Sequence, residues 1–525
     1  NGTYDGDNFD LVFYNASTFA KMMTLGGLTA TSASLTEAQI GTLASASHDV
    51  IWAVEGRFTG SPSTGPYLGE GLAITVDRPP VADANGPYNT IEGTDAILDG
   101  TGSSDPDGDA LTYEWDLDND GSYDDATGPN PTFSTVGQDG VFTIGLRVTD
   151  PFGLSNTDST IVTVANVAPA VFPASNSPQN ENSTIAVTAI VTDPGWLDLL
   201  SATIDWGDGL PVEPMSLTGF ENVRPDARYT FAASHIYGDN GTFTAQVCGH
   251  DDDTSTCANI DLTILNVDPT AVIDETEIVD GCAGDAFIAH AGEDVTFSGR
   301  STDPGSDDLD FTWSWGDATP DVTTPYLVNP PALDPLPSPS LQPRDVVDTQ
   351  VHAFAGACLY EVTLSVLDDD GGTATDDTDV VIAGNADLVR SAGYWYNQFR
   401  KPRFFTEEEL QCYLAMVNFM SAVFSELTDA DSIADAKEMM HPSQSNGDIR
   451  VQFDRQLIAV WLNFANGALD YDEEVDTDFD NIPDTPLLQV LCAAEDARIK
   501  DITTQNDAEI ENWKDILVWI NESGI

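Results

Sequence analysis

Three segments of this chain carry the same signals in the same order, and this repetition limits the possible folds more than any other feature. Each segment has an Asp-Pro turn, a strand pattern that contains tryptophan, an acidic turn, and a second alternating strand pattern. The Asp-Pro turns are at Asp105, Asp193 and Asp303. Alternation of apolar and polar residues is typical of strands with one face in a core. The repetition therefore predicts tandem β domains rather than one large core.

In each repeat, two predicted strands form the central part of a β-sandwich. The tryptophan strands are predicted at 111–115, 203–206 and 311–315, and the later alternating strands at 141–148, 242–247 and 360–366. Short strands separated by frequent turns are typical of sandwiches, and a tryptophan on a central strand supplies a large buried side chain. We expect a mainly β fold.

The motifs of the repeats resemble the polycystic kidney disease (PKD) domain family. The resemblance rests on the Asp-Pro turns, on Trp206-Gly207-Asp208-Gly209 and on His235-Ile236-Tyr237, of which His352-Ala353-Phe354 is a weaker version. It spans about residues 79–384. The first repeat departs from the pattern, because it has a longer acidic turn and lacks the histidine. The resemblance implies immunoglobulin-like β-sandwiches in a secreted or cell-surface protein of bacterial or archaeal type.

The chain is expected to contain five domains. We predict a small α/β or β module at 1–78, three PKD-like repeats at 79–168, 169–268 and 269–384, and an α-helical domain at 385–525. The joints at 164–169 and 264–269 contain proline and no Gly/Ser linker, which predicts limited bending between repeats. The first strand, around Phe9 to Phe13, is a candidate to pair with the sheet of a neighbouring molecule if it lacks a partner within the chain.

Charge and motif content exclude several functions. With 88 acidic against 18 basic residues the net charge is −70, which repels nucleic acid and anionic membranes. No apolar run is long enough to span a bilayer. Hydrolase, metalloprotease and phosphate-binding motifs are not found, so we expect no enzyme activity. The sequence begins with Asn1 rather than with methionine, which either a removed signal peptide or the edge of a fragment would explain.

The cysteines indicate an oxidising compartment, and the sequons permit N-glycosylation. The six cysteines fall into neighbouring pairs, which predicts the intradomain disulfides Cys248–Cys257, Cys282–Cys358 and Cys412–Cys492 in an oxidising compartment. Asn-x-Ser/Thr sequons make N-glycosylation possible at Asn1, Asn15, Asn182, Asn240 and Asn521.

Two acidic loops are candidate Ca²⁺ sites. One has Asp476, Asp478, Asp480 and Asp484, and its alternating carboxylates are similar to thrombospondin-type and EF-hand-like calcium loops, although Phe479 stands where glycine is usual. The other has Asp116, Asp118, Asp120 and Asp124, with Gly121 at the turn. An acidic hairpin turn without metal is the competing interpretation of the second loop.

Three functions remain open at this point. The first is a self-assembling structural subunit of an extracellular filament, sheath or S-layer, stabilised by disulfides and Ca²⁺. The second is a calcium-dependent adhesin that binds glycan or protein. The third is the accessory region of a secreted hydrolase. Stiff tandem sandwiches between unlike end modules favour the first, with copies of the same chain as partners.

Overall fold

The fold is that of a computed structural model. It describes residues 9–15, 18, 20–28, 35–36, 38–39, 42–43, 49–56, 73–135, 137, 139–223, 226–328, 330, 342–428, 430–443, 447–480 and 482–523. These residues group into two compact units. The first unit is Asn1–Ser175, Val187–Ala233 and Thr244–Ile260, and the second is Asn176–Ala186, Ser234–Phe243 and Asp261–Ile525.

The N-terminal region forms a four-stranded antiparallel sheet. Its strands are β1 (Phe9–Asn15), β2 (Lys21–Leu28), β3 (Asp49–Gly56) and β4 (Ala73–Thr75), in the order β2-β1-β3-β4. Phe13 pairs with Met23 of β2 and with Trp52 of β3. The idea that β1 is available for a neighbouring molecule is therefore wrong, because both of its edges are already hydrogen bonded within the chain.

The first repeat is a sandwich centred on Trp115. Its strands are β5 (Tyr88–Ile91), β6 (Ala96–Ile97), β7 (Thr112–Asp116), β8 (Ala126–Thr127), β9 (Thr132–Phe133), β10 (Gly140–Thr149) and β11 (Ser155–Ala165). One sheet has the order β5-β11-β10-β7-β8, and the other is the pair β6-β9. Trp115 is fully buried opposite Leu146, and its indole N–H donates to the carbonyl oxygen of Gly128 over 2.9 Å.

The second repeat has two larger sheets. Its strands are β12 (Ala170–Ser175), β13 (Gln179–Asn180), β14 (Thr184–Asp193), β15 (Ser201–Asp205), β16 (Glu213–Pro214), β17 (Ser216–Val223), β18 (Asp226–Ile236), β19 (Gly241–His250) and β20 (Ser255–Leu265). The strand orders are β12-β14-β18-β17 and β13-β20-β19-β15-β16. Trp206 follows β15 and is buried, as the repeat pattern predicts.

The third repeat completes the series. Its strands are β21 (Val272–Ile273), β22 (Val279–Asp280), β23 (Asp285–His290), β24 (Asp294–Asp303), β25 (Leu309–Ser314), β26 (Val322–Tyr326), β27 (Arg344–Ala353), β28 (Cys358–Asp368) and β29 (Thr373–Ala383). The orders are β21-β24-β27 and β22-β23-β29-β28-β25-β26. Gly299 on β24 makes room for the buried Trp313, since a Cβ at Gly299 would lie 2.8 Å from the indole ring.

One parallel strand pair recurs in all three repeats. An early strand pairs in parallel with the last strand: β5 with β11, β13 with β20, and β23 with β29. This pairing places the start of each repeat beside its end. The prediction of a mainly β chain with tandem immunoglobulin-like sandwiches is confirmed.

The C-terminal region is helical, as predicted. Its helices are α1 (Ala392–Arg400), α2 (Glu407–Met420), α3 (Ala422–Glu426), α4 (Ile433–Met439), α5 (Ile449–Ala465), α6 (Leu487–Thr504) and α7 (Asp507–Ser523). The short strands β30 (Glu474–Val475) and β31 (Thr485–Pro486) pair between α5 and α6. Thr406 and Glu409 form the capping box that starts α2. No helix in the described part of the chain combines the length and the apolar character that crossing a membrane requires.

A buried carboxylate organises the centre of this helical region. Glu495 on α6 accepts hydrogen bonds from the hydroxyl of Ser421, the amide of Ala422 and the indole of Trp461. Burial raises the pKa of Glu495 although these donors oppose the rise. The donors satisfy a polar group that would otherwise be costly among apolar side chains.

Two disulfides join the third sandwich to the helical region, which corrects the predicted pairing. Cys282 bonds to Cys492 and Cys358 bonds to Cys412, with Cα–Cα distances of 4.9 and 4.6 Å. The pairs Cys282–Cys358 and Cys412–Cys492 were expected because proximity in sequence was the only guide. The core of the helices includes Ala286 and Val381 of the sandwich, and this packing brings the cysteines of the two regions together. Cys248–Cys257 forms as predicted.

His290 makes a second link between the third sandwich and the helical region. Its Nδ1 lies 2.7 Å from the carbonyl oxygen of Gly384, and its Nε2 lies 2.7 Å from Asp470 Oδ1. Both ring nitrogens face acceptors, so the doubly protonated imidazolium can donate to both. Burial opposes the charge, but the hydrogen bonds to Gly384 and Asp470 outweigh it and raise the pKa of His290.

This contact is expected to make the stability of the helical region depend on pH. Since the folded-state pKa lies above the unfolded value of about 6.5, the stabilisation is complete below that pH. It is lost as the pH rises through the folded-state pKa. Thermal unfolding followed by helical circular dichroism should therefore show a fall in midpoint as the pH rises above about 6.5. His290→Gln should remove this step, whereas His441→Gln should keep it; a step that survives in His290→Gln would contradict the assignment.

Candidate metal centres

The loop between β30 and β31 brings three of its four predicted ligands together. Asp476, Asp478 and Asp480 each place one carboxylate oxygen within 4.8 Å of the others. The backbone amide of Asp480 donates to Asp476 Oδ1 over 3.2 Å and to Asp478 Oδ1 over 3.1 Å, which fixes the turn. Asp484 does not join this group, and its Oδ1 accepts from the hydroxyl of Thr485. The donors that converge are carboxylate oxygens, the ligand type that Ca²⁺ prefers.

The loop after β7 has the same construction. Asp116, Asp118 and Asp120 converge within 4.8 Å, and the amide of Asp120 donates to Asp116 Oδ1 and Asp118 Oδ1 over 3.2 Å each. Asp124 lies outside the group. Its neighbour Asp125 closes the loop instead, by accepting from the amide of Leu117 over 2.7 Å. A shift of one residue within an acidic run leaves no sequence signal, because Asp124 and Asp125 are adjacent and identical.

Phe479 and Asn119 occupy the same position in the two loops. Their φ angles are 61° and 59°, in the left-handed region that favours glycine or asparagine. The ring of Phe479 packs edge-on against Trp519 at 6.1 Å between centroids. The missing glycine in the first loop therefore does not prevent the turn.

A second kind of acidic cluster lies at the repeat joints, and the sequence analysis missed it. Glu92, Asp193 and Asp198 converge within 4.8 Å in the first unit. Glu181, Asp303 and Asp307 do so in the second unit, where Asp307 also approaches Asp239 and Asp370. The six residues of the two triads are exposed by no more than 5%. We call them the first and the second junction cluster.

The backbone holds the two junction clusters in the same way. In each cluster the glutamate accepts a hydrogen bond from a backbone amide of the linker. Val167 N–H donates to Glu92 Oε2 over 3.1 Å, and Val267 N–H donates to Glu181 Oε1 over 2.7 Å. Within each Asp-Pro-Gly turn the glycine amide donates to the aspartate. Gly195 N–H donates to Asp193 Oδ1 and Gly305 N–H to Asp303 Oδ1, each over 2.7 Å. One oxygen of each carboxylate is thus fixed, which aims the other into the cluster.

Burial and mutual repulsion make these carboxylates hard to ionise together. In the second junction cluster, burial and then neighbouring carboxylates raise the pKa of Glu181 to about 8 and that of Asp307 to about 9. In the first, the same causes raise the pKa of Asp198 to about 7 and that of Asp193 to about 6. Such shifts are expected where like charges share a buried site.

The predicted glycosylation sites differ in their surroundings. Asn521 is buried on α7, and its amide donates to the carbonyl oxygen of Gln456 over 3.0 Å. A glycan has no access to this nitrogen in the folded chain. The predicted glycosylation of Asn521 is therefore corrected to a structural role. Asn15, Asn182 and Asn240 are half-buried and stay predictions. Asn1 lies outside the described residues.

Residues 77–164 match the family model described as PKD domain. The match falls on the first repeat, the one whose long acidic turn departs from the Gly-Asp-Gly pattern. The first repeat is therefore a PKD-type domain. No curated protein gives a significant match to the chain.

Several solved structures of multidomain proteins are similar to parts of this chain. The tetra-tandem repeat in the extending region of a large adhesion protein covers 72% of this chain and 92% of its own, at 12% identity and a TM-score of 0.35. The mouse nectin-like molecule 4 ectodomain covers 58% of this chain and 99% of its own, at 10% identity and a TM-score of 0.24. Cadherin domains 1–5 of protocadherin Gamma B2 cover 73% of each chain, at 14% identity and a TM-score of 0.23.

Proposed function

We propose that the chain is a non-catalytic extracellular structural protein that assembles with copies of itself into a surface filament, sheath or S-layer. The observation that carries this proposal is the edge of the second sandwich. Strand β17 ends the order β12-β14-β18-β17 and exposes Leu217 by 52% and Phe220 by 63%. Apolar side chains on a terminal strand favour pairing with another chain.

The disulfides support an extracellular location. All six cysteines are bonded, and two of the bonds connect separate regions of the chain. Disulfides persist in oxidising compartments and are rare in the cytosol.

The histidines of the repeats support a structural rather than a catalytic role. His352 stacks on Trp315 with 4.4 Å between ring centroids, and its Nε2 lies 2.8 Å from Asp317 Oδ2. The PKD-like block of the third repeat thus uses its histidine to fasten the acidic turn to the sandwich.

Calcium is the cofactor that this function requires. A net charge of −70 opposes association between copies, so assembly needs cations that screen or bind the carboxylates. We propose Ca²⁺ at the two acidic loops, on Asp476, Asp478 and Asp480 and on Asp116, Asp118 and Asp120. Asp124 and Asp484 are left out of the proposed ligand sets.

Electron microscopy of the purified full chain tests the assembly. We expect ordered polymers in Ca²⁺ that disperse in chelator. Phe220→Asp should prevent polymers, because it places a charge on the exposed edge. The matched control Phe152→Asp changes a phenylalanine that is 73% exposed in a turn of the first repeat, and it should still polymerise. Dispersed particles of the wild type under all conditions would overturn self-assembly and favour the adhesin.

A further inference from the structure

We propose that each junction cluster is a Ca²⁺ site, formed by Glu92, Asp193 and Asp198 at the first joint and by Glu181, Asp303 and Asp307 at the second. In each, one ion binds residues from two successive repeats. These sites are distinct from the two acidic loops, and they do not depend on self-assembly.

The first argument is the set of oxygens that the protein itself leaves without a hydrogen-bond partner. All are buried, and two occur at equivalent positions in both clusters, Glu92 Oε1 with Asp193 Oδ2 and Glu181 Oε2 with Asp303 Oδ2; the second cluster adds Asp307 Oδ2. Buried polar atoms without partners are rare in native proteins and call for an unseen ligand. The recurrence of the same atoms in two independent joints indicates a built feature rather than an accident of packing.

The linker asparagines add another acceptor to each joint. Asn166 Nδ2 lies 3.3 Å from Asp251 Oδ2, and Asn266 Nδ2 lies 3.0 Å from Asp368 Oδ2. Because each nitrogen donates to a carboxylate, the side-chain oxygen points the other way. Both oxygens, Asn166 Oδ1 and Asn266 Oδ1, are buried without a partner.

The glycine of the Asp-Pro-Gly turn lets the backbone approach the carboxylates. A Cβ on Gly195 would lie 2.2 Å from Asp198 Oδ2 and 2.7 Å from Glu92 Oε1. A Cβ on Gly305 would lie 2.5 Å from Glu181 Oε2 and 2.7 Å from Asp307 Oδ1. The oxygens of two repeats thus converge on the same glycine at both joints.

Backbone contacts hold the repeats together around each cluster. The amide of Leu197 donates to the carbonyl oxygen of Gly137 over 3.1 Å, and the amide of Ser306 donates to that of Gly238 over 2.8 Å. In each pair the donor follows the Asp-Pro-Gly turn of one repeat and the acceptor lies in the preceding repeat. The joints are therefore equivalent in their packing as well as in their carboxylates.

No basic side chain of the described residues forms an ion pair with the six carboxylates. At the Asp-Pro turn of the first repeat, by contrast, a carboxylate is neutralised by an arginine: Arg78 pairs with Asp107 at 2.6 Å. Arg344 acts on Asp303 of the second joint only through its charge, without an ion pair, so protons or a bound cation must balance the remaining charge of the two clusters.

The donor set selects the cation. Every converging atom is a carboxylate oxygen, and no histidine or cysteine belongs to either cluster. Oxygen ligands in irregular arrangements suit Ca²⁺, whereas Mg²⁺ requires near-octahedral geometry and Zn²⁺ prefers nitrogen or sulfur. Since Glu92 and Glu181 precede their linkers and the aspartates follow them, one ion is held from both sides of the joint.

Isothermal titration of the full chain with Ca²⁺ tests the proposal. Glu92→Gln with Asp193→Asn should remove one binding event per molecule, and Glu181→Gln with Asp303→Asn should remove a different one. The matched control Glu275→Gln with Glu277→Gln removes the same charge from exposed positions of the third repeat and should keep the wild-type stoichiometry.

The folding of the variants is checked by thermal unfolding in chelator. Each substitution neutralises a buried carboxylate but keeps a side-chain oxygen that can accept from the backbone amide, so the melting temperature in chelator should not fall. The rise in melting temperature on adding Ca²⁺ should shrink in each junction variant and stay full in the control. Junction variants that bind as many Ca²⁺ ions as the wild type, with the same affinity, would overturn the proposal, as would a wild type without Ca²⁺ binding at these carboxylates.

Discussion

Removal of Ca²⁺ is expected to lower the free energy of unfolding of the sandwich repeats by about 4 kcal/mol for each junction site, if the free Ca²⁺ concentration beforehand is about a thousand times the dissociation constant of that site. The physical reason is that the unfolded chain cannot bring Glu181 close to Asp303, residues that are far apart in sequence. Binding to the folded state alone stabilises that state by mass action. Urea unfolding of the full chain, followed by tryptophan fluorescence in Ca²⁺ and in chelator, measures the difference.

Mg²⁺ is the control for this loss of stability. At equal ionic strength Mg²⁺ screens surface charge as Ca²⁺ does, but it should restore little of the lost stability, because Mg²⁺ demands near-octahedral coordination and gives up its water molecules reluctantly. Full restoration by Mg²⁺ would contradict a site built for Ca²⁺ and would indicate general screening of the −70 charge.

Loss of the Cys282–Cys492 bond is expected to destabilise the helical region by about 5 kcal/mol. This bond spans 210 residues, so it removes a large amount of conformational entropy from the unfolded chain. The measurement is urea unfolding of Cys282→Ala with Cys492→Ala, followed by the circular dichroism of the helices.

The control for this prediction is the short-range disulfide of the second repeat. Cys248 and Cys257 are separated by 9 residues on the neighbouring strands β19 and β20, so removing their bond should cost the chain less, about 3 kcal/mol, and should leave the helical transition unchanged. Equal losses in the helical transition for both variants would contradict the assigned pairing.

Features determined by neighbouring residues could be predicted from the sequence. Trp115, Trp206 and Trp313 are buried in their sandwiches because alternation along one strand determines which side chains face the core. The acidic loop at Asp476 is local too, since its converging carboxylates lie within five consecutive residues. The domain boundaries remain predictions.

Features determined by tertiary packing could not be predicted. The partner of Cys282 depends on how α2 and α6 pack against the third sandwich, which leaves no periodicity in the sequence. The junction clusters combine an inconspicuous glutamate, Glu92 or Glu181, with an aspartate about one repeat later. The sequence marks Asp193 and Asp303 as repeat signals and places Asn166 and Asn266 in the joints, but the convergence of these residues depends on how consecutive repeats pack. Glutamate, linker Asn-Val and Asp-Pro-Gly in successive repeats are the signal that could have revealed the sites.

X-ray data at long wavelength from crystals of the full chain grown in Ca²⁺ test the central claim most directly. We expect an anomalous peak at each joint, about 2.3–2.6 Å from the oxygens of Glu92, Asp193 and Asp198 and of Glu181, Asp303 and Asp307. Well-ordered joints without anomalous signal, with these carboxyl groups hydrogen bonded to one another or to water, would contradict it.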